Sequence, residues 1–172
     1  MKRFVVVLSV AVACKEDPLV AAWHAPYEVQ SFEQGAGSCD ATLSPTDPDT
    51  PFVFFAVALG EPDVLSLYWC EETRNCPTEP WVTVAPVEID FDHAEGATAA
   101  AFTLSDTTCN VFYDSIVADL DGDDVTATVT RWFPEDIFTV ENPSDCEEIA
   151  RDAVGVECDE VSHLEATRAE GF

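Results

Sequence analysis

Positive charge is what this chain has least of. Lys and Arg together number seven against 34 Asp and Glu in 172 residues, a formal charge of −27 at pH 7. Two of the seven are Lys2 and Arg3 at the extreme N-terminus, so the rest of the chain carries five. A surface of that sign repels phosphate backbones and anionic headgroups, which argues against nucleic-acid binding and against membrane docking through a basic patch. The short catalytic signatures are also missing. No G-x-S-x-G, H-E-x-x-H, Walker loop or dinucleotide fingerprint occurs, and the chain is read as non-enzymatic. Apolar residues, by contrast, are plentiful. They make up 47% of the chain and include eleven Phe, four Trp and three Tyr, a composition that excludes a disordered acidic tail.

Lys2 and Arg3 precede a short apolar core, Phe4 to Ala13, and Cys14 follows the small residues Ala11 and Ala13. As a helix that core is about 15 Å long, half the roughly 30 Å hydrocarbon thickness, so residues 1–13 read as an export signal and not as a permanent span. Ala11-Val12-Ala13-Cys14 resembles the lipobox of bacterial lipoproteins. The resemblance implies cleavage before Cys14, a diacylglycerol on its sulfur and a membrane anchor through that lipid. Because Lys15, and no aspartate, follows the cysteine, it also implies the outer membrane of the cell envelope. Ordinary cleavage to a secreted or periplasmic soluble product is the alternative, since Ala11 and Ala13 satisfy the small-x-small rule as well. Residues 14–26, with Pro18 and Pro26, read as lipid attachment and tether, and residues 27–172 as one domain.

Cysteine parity fits that reading. Of seven cysteines, assigning Cys14 to lipid leaves Cys39, Cys70, Cys76, Cys109, Cys146 and Cys158, an even set suited to three disulfides in an oxidising compartment. Six cysteines permit fifteen pairings. Local loop closure favours Cys70 with Cys76 and Cys146 with Cys158, which leaves Cys39 with Cys109.

From Tyr27 onward the periodicity is that of strands. Val53, Phe55, Val57 and Leu59 share one face of an apolar run, and Gly60-Glu61-Pro62-Asp63 turns it into a second strand over 64–70. In Val87 to Asp92 the apolar residues face one way while Glu88, Asp90 and Asp92 face the other. Strands are expected over 98–105 and 109–120, and Asp121-Gly122 is a hairpin signal before Val125, Ala127 and Val129, which alternate with threonines. Ser144 to Glu147 has capping-box form, predicting one short helix that ends at Gly155. Beyond it, a final strand opening at Val156 is preferred to a second helix. The expected fold is all-β, an antiparallel barrel or sandwich of seven to nine strands with one short C-terminal helix. A meander of hairpins with a late helix resembles, in pattern only, the lipocalin-like domains of envelope lipoproteins.

Two groups of acids have metal-ligand spacing. Asp119, Asp121 and Asp123 look like the start of a calcium loop, but Gly122 stands fourth where such a loop wants its glycine sixth, and hairpin chemistry accounts for the cluster. No cofactor is expected beyond that calcium alternative. Glu88, Asp90 and Asp92 lie beside His93 and Glu95, where a metal or a shared proton competes with a solvated strand edge. His24 and His163 have no local support as bases. The strand aromatics Tyr68, Trp69, Tyr113, Trp132 and Phe133 are read as core, with a ligand cavity as the alternative. The preferred function is a lipid-anchored binding or surface-interaction module with an unspecified protein or small-molecule partner. A lipocalin-like carrier of a small apolar ligand comes second, and a metal-dependent envelope hydrolase built on Asp90, Asp92 and His93 comes third. Carboxylates about 10 Å apart repel at low salt, and the screening length falls to about 3 Å at 1 M. The melting temperature, followed by circular dichroism, is therefore expected to rise with NaCl; a flat or falling curve would contradict a salt-adapted surface.

Overall fold

The computed structural model describes residues 17–48, 50–134 and 137–170, so residues 1–13, read above as an export signal, and Cys14 lie outside the described residues. Chain order is α1 (Pro18–Trp23), β1 (Ala25–Ala36), β2 (Ser44–Pro45), β3 (Phe52–Ala58), β4 (Val64–Cys70), β5 (Val82–Val84) and β6 (Val87–Ile89). There follow β7 (His93–Ser105), β8 (Thr108–Asp121), β9 (Asp124–Trp132), β10 (Phe138–Thr139), α2 (Ser144–Ala153) and β11 (Glu160–Arg168). Nine of the eleven strands form one antiparallel path, β5-β4-β3-β1-β11-β9-β8-β7-β6, with β2 and β10 as two-residue additions to β1 and β8. The terminal strands β5 and β6 are consecutive in the chain, and Ala85 between them exchanges hydrogen bonds with the Thr98 hydroxyl of β7 (2.7 and 3.2 Å). The sheet is thereby a nearly closed barrel.

Alternation decides what enters the barrel. Val53, Phe55 and Val57 of β3 point inward, as do Leu65 and Leu67 of β4 and Val125, Ala127 and Val129 of β9. The interior is filled. Trp23, Tyr27, Phe55, Leu65, Ile116 and Leu164 are all inaccessible and belong to one packed cluster. A second, smaller core lies on the outer face of β8, where α2 lays Cys146, Ala150 and Ala153 over Cys109, Val111 and Tyr113.

Residues 18–26 are not a tether. Asp17 caps α1 by accepting from the Leu19 N–H (2.9 Å), and Pro18 starts the helix with the φ it already holds. The helix then drops Trp23 into one end of the barrel, where its indole N–H donates to the Asp90 carbonyl (2.6 Å). Burying an indole of that size outweighs the weak helix preference of so short a segment.

The six cysteines form Cys39–Cys158, Cys70–Cys76 and Cys109–Cys146. Only the second agrees with loop closure. Antiparallel pairing of β1 with β11 opposes Ala36 to Glu160, so the loops carrying Cys39 and Cys158 leave the same end side by side. Closing 37 residues instead of 12 costs only about 1 kcal/mol more, far less than the strand pairing that sets the geometry. Three further expectations change. The capping box does not form: Pro143 occupies the cap, and the Asp145 carboxylate instead accepts from the Asn142 N–H (3.0 Å). The last strand begins at Glu160, and Asp90 and Asp92 belong to the turn after β6 and not to a strand face. Gly155 does end α2, with φ +75°.

Gly96 is where the barrel leaves no room. A Cβ there would lie 2.6 Å from the Pro86 carbonyl oxygen and 2.9 Å from Val87 Cα, both backbone atoms. Gly96→Ala is expected to cost about 1–3 kcal/mol in urea unfolding; an unchanged midpoint would show that β6 and β7 are farther apart than described.

Candidate functional site

The two ends of the barrel differ in chemistry. At the α1 end, Arg168 holds the helix by donating to the Ala22 carbonyl and the Tyr27 hydroxyl (the latter 3.2 Å), while its guanidinium lies 5.4 Å from the Tyr27 ring centroid. Asp123 stands 3.6 Å from its Nε. That end is plugged.

The opposite end is a mouth lined with aromatic and polar side chains. Phe32 of β1 meets Trp69 of β4 at 5.0 Å between ring centroids, and Trp81, just before β5, lies 6.0 Å from Phe32 and 5.2 Å from Trp69. Gln34, Thr46, Asp47 and Pro48 complete a half-open pocket of about 320 Å³ over these rings. The far wall is fixed by backbone pairing: β2 pairs Ser44 with Gln34, and the Thr46 N–H donates to the Phe32 carbonyl (2.8 Å). Beside it a polar row crosses the next strands. Gln34 donates to Ser162 (3.4 Å) and Glu160 (3.5 Å), and on β8 and β9 Asp114 accepts from Arg131 Nε (2.9 Å). Burial pushes the Asp114 carboxyl above its usual range, with Arg131 pulling the other way and Glu160 adding to the rise.

The acids singled out in the sequence do not converge. Asp119 accepts from His93 Nδ1 (2.8 Å), and Asp121 pairs across the hairpin with Asp124, while Asp123 sits in the turn opposite Arg168. The tight loop is Gly122-Asp123, with Gly122 at φ +66°, the arrangement of a II′ turn. Among the described residues no group of three or more His, Cys, Asp or Glu is placed to hold a metal. His93 turns to Asp119 and Glu95 (3.8 Å), not to Asp90 or Asp92. The hydrogen bond to Asp119 raises the His93 pKa above its ordinary value. Because the folded value is the higher one, that pairing stabilises fully in acid and is lost as pH rises through it.

Of the strand aromatics, Trp69 reaches the mouth and Tyr68 lines a pocket of about 540 Å³ on the outer face of β3 and β4. Tyr113 and Trp132 belong to the core under α2, and Phe133 is exposed, stacked on Phe112 at 5.7 Å. Phe32, Gln34, Asp47 and Trp81 escaped the sequence reading. The turn residues Thr46-Asp47-Pro48 were the one local signal near them. Compared with known proteins, the chain matches no family model, no curated protein and no solved structure.

Removing one partner of a half-buried ion pair leaves the other uncompensated. Arg131→Ala is therefore expected to cost about 2–4 kcal/mol at neutral pH. Asp114 already binds its proton more tightly folded than unfolded, a contribution present in acid and lost as pH rises through the raised value. The loss from Arg131→Ala should accordingly shrink as pH falls, in urea titrations at pH 7 and pH 4; a loss independent of pH would mean that Asp114 does not sense Arg131.

Proposed function

We propose that this protein is a non-enzymatic binding module of the cell envelope, held to the membrane by lipid on Cys14, that takes its ligand at the mouth of a filled barrel. One observation carries this reading. The barrel axis is occupied by Trp23, Tyr27, Phe55 and Ile116, none of them accessible, whereas aromatic surface remains at the mouth on the partly buried Trp69 and Trp81, with Phe32 packed beneath them. A carrier that encloses its ligand needs a hollow interior; a module that binds at its rim needs a rigid one.

Rigidity has visible sources. Cys39–Cys158 locks the loops at the mouth end of β1 and β11, and each bridge contributes about 2–4 kcal/mol by restricting the unfolded chain. Three disulfides also suit an exported protein in an oxidising compartment. The hydrolase alternative draws no support from the site, because His93 is turned away from Asp90 and Asp92. Membrane attachment rests on the lipobox resemblance at residues 11–14.

A fragment library followed by amide chemical shifts tests the mouth. Hits should perturb the amides of Phe32, Gln34, Thr46, Trp69 and Trp81 and leave those of Phe55 and Ile116 still. Hits gathered on the interior residues would replace this reading with the carrier.

A further inference from the structure

The chemistry of the mouth narrows what it can bind, on the premise that the mouth is a binding site at all. Phe32 meets each tryptophan edge to face at 78°, the tryptophans are tilted 46° to each other, and all three rings line the one pocket. Aromatic faces carry negative potential and attract cations set against them. Asp47 shares the pocket and has no hydrogen-bond or ion-pair partner among the described residues. A second pocket shares Phe32 and Asp47 and adds Glu33, and neither lining contains Lys, Arg or His.

Two of the pocket's side-chain donors are already committed, and the indole N–H groups of Trp69 and Trp81 are its others. Gln34 gives its amide to Glu160 and Ser162, and the Thr46 hydroxyl donates to the Ser44 carbonyl (3.3 Å). A neutral polyol can stack on the rings and donate to Asp47 but gains nothing from the charge of the site, and an anion meets Asp47 with no Lys, Arg or His in the lining to offset it. Hard inorganic cations prefer several oxygen ligands to ring faces. An alkylated ammonium needs none of these things. It carries its charge on an apolar surface, suits aromatic walls, and is drawn in by a protein of formal charge −27.

We propose that the mouth pocket formed by Phe32, Trp69, Trp81 and Asp47 binds small alkylated ammonium cations. Choline is the probe, and its neutral carbon isostere dimethylbutanol, of the same shape without the charge, is the control. At constant ionic strength, calorimetry and tryptophan fluorescence should show choline binding at least about tenfold tighter than the isostere. Asp47 is exposed, so Asp47→Asn should fold normally; it is expected to weaken choline several-fold and to leave the isostere unchanged. Trp81→Ala should weaken both. Equal binding of choline and isostere, or no saturable choline binding while fragments still map to the mouth, overturns the cation inference and leaves the mouth reading standing. Fragments that map elsewhere overturn both.

Discussion

The pairing of β1 with β11 is the contact on which the rest of the molecule depends. These strands run side by side from Tyr27 opposite Arg168 to Ala36 opposite Glu160, although well over a hundred residues separate them in the chain. Every hairpin between them is local, and a meander of hairpins alone makes an open sheet with two exposed edges. Joining the first long strand to the last folds that meander round on itself. Both ends of the barrel are built from the same pairing. At one end it sets Arg168 beside Tyr27 and the end of α1; at the other it sets Gln34 beside Ser162 and Glu160 and brings Cys39 to Cys158. Long-range pairing of this kind must be made against the entropy of closing a large loop, and Cys39–Cys158 lowers that cost by restricting the same loop in the unfolded chain.

A filled barrel constrains function as much as fold. Close packing around Trp23 and Phe55 makes the interior resistant to deformation, so residues fixed to its strands keep their mutual distances. Phe32, Trp69 and Trp81 come from separate elements of the chain and are held by β1, by β4 and by the Trp81 N–H donating to the Leu67 carbonyl (2.8 Å). If the mouth binds as proposed, a site built this way pays little ordering entropy for its ligand. Rotamer freedom at the mouth is already limited by edge-to-face contact between the rings.

Much of this architecture was legible in the sequence, and the parts that were not share a cause. Alternation located β3, β4 and β9 almost to the residue, because one face of each is buried and the period of two follows directly. The all-β class followed from the same signal, and the late helix from the Ser144 to Glu147 pattern and Gly155, although the capping box itself does not form. What escaped was whatever depends on distant partners. Phe32 is the clearest case: a register shift between Val29 and Ser31 changes the parity of β1, so Phe32 shares the inward face with Val29 at a spacing of three. Read by strict alternation, it falls on the wrong face. Two of the three disulfide pairings failed in the same way, since Cys109 is chosen for Cys146 by the packing of α2 on β8, which no local spacing encodes. Helix α1 was missed because six residues carry too little periodicity, and its stability comes from the pocket that receives Trp23.

The scarcity of positive charge links fold to site. Among the described residues the basic side chains other than histidine are Arg74, Arg131, Arg151 and Arg168. Two of them, Arg131 and Arg168, are drawn in toward the barrel, where Asp114 and Asp123 face them. Arg131 compensates the buried Asp114, whose charge desolvation penalises, whereas Arg168 meets the exposed Asp123, and the other exposed acids are left to water and to dissolved ions. The consequence at the mouth is directional. Asp47 stands there, and Glu33 in the adjoining pocket, with no Lys or Arg in either lining, so the local field adds to that of the whole chain instead of cancelling it. On the proposed reading, an acidic composition that on its own implies only solubility and repulsion gains selectivity where the fold sets Asp47 in one pocket with Trp69 and Trp81 and holds Arg131 against Asp114.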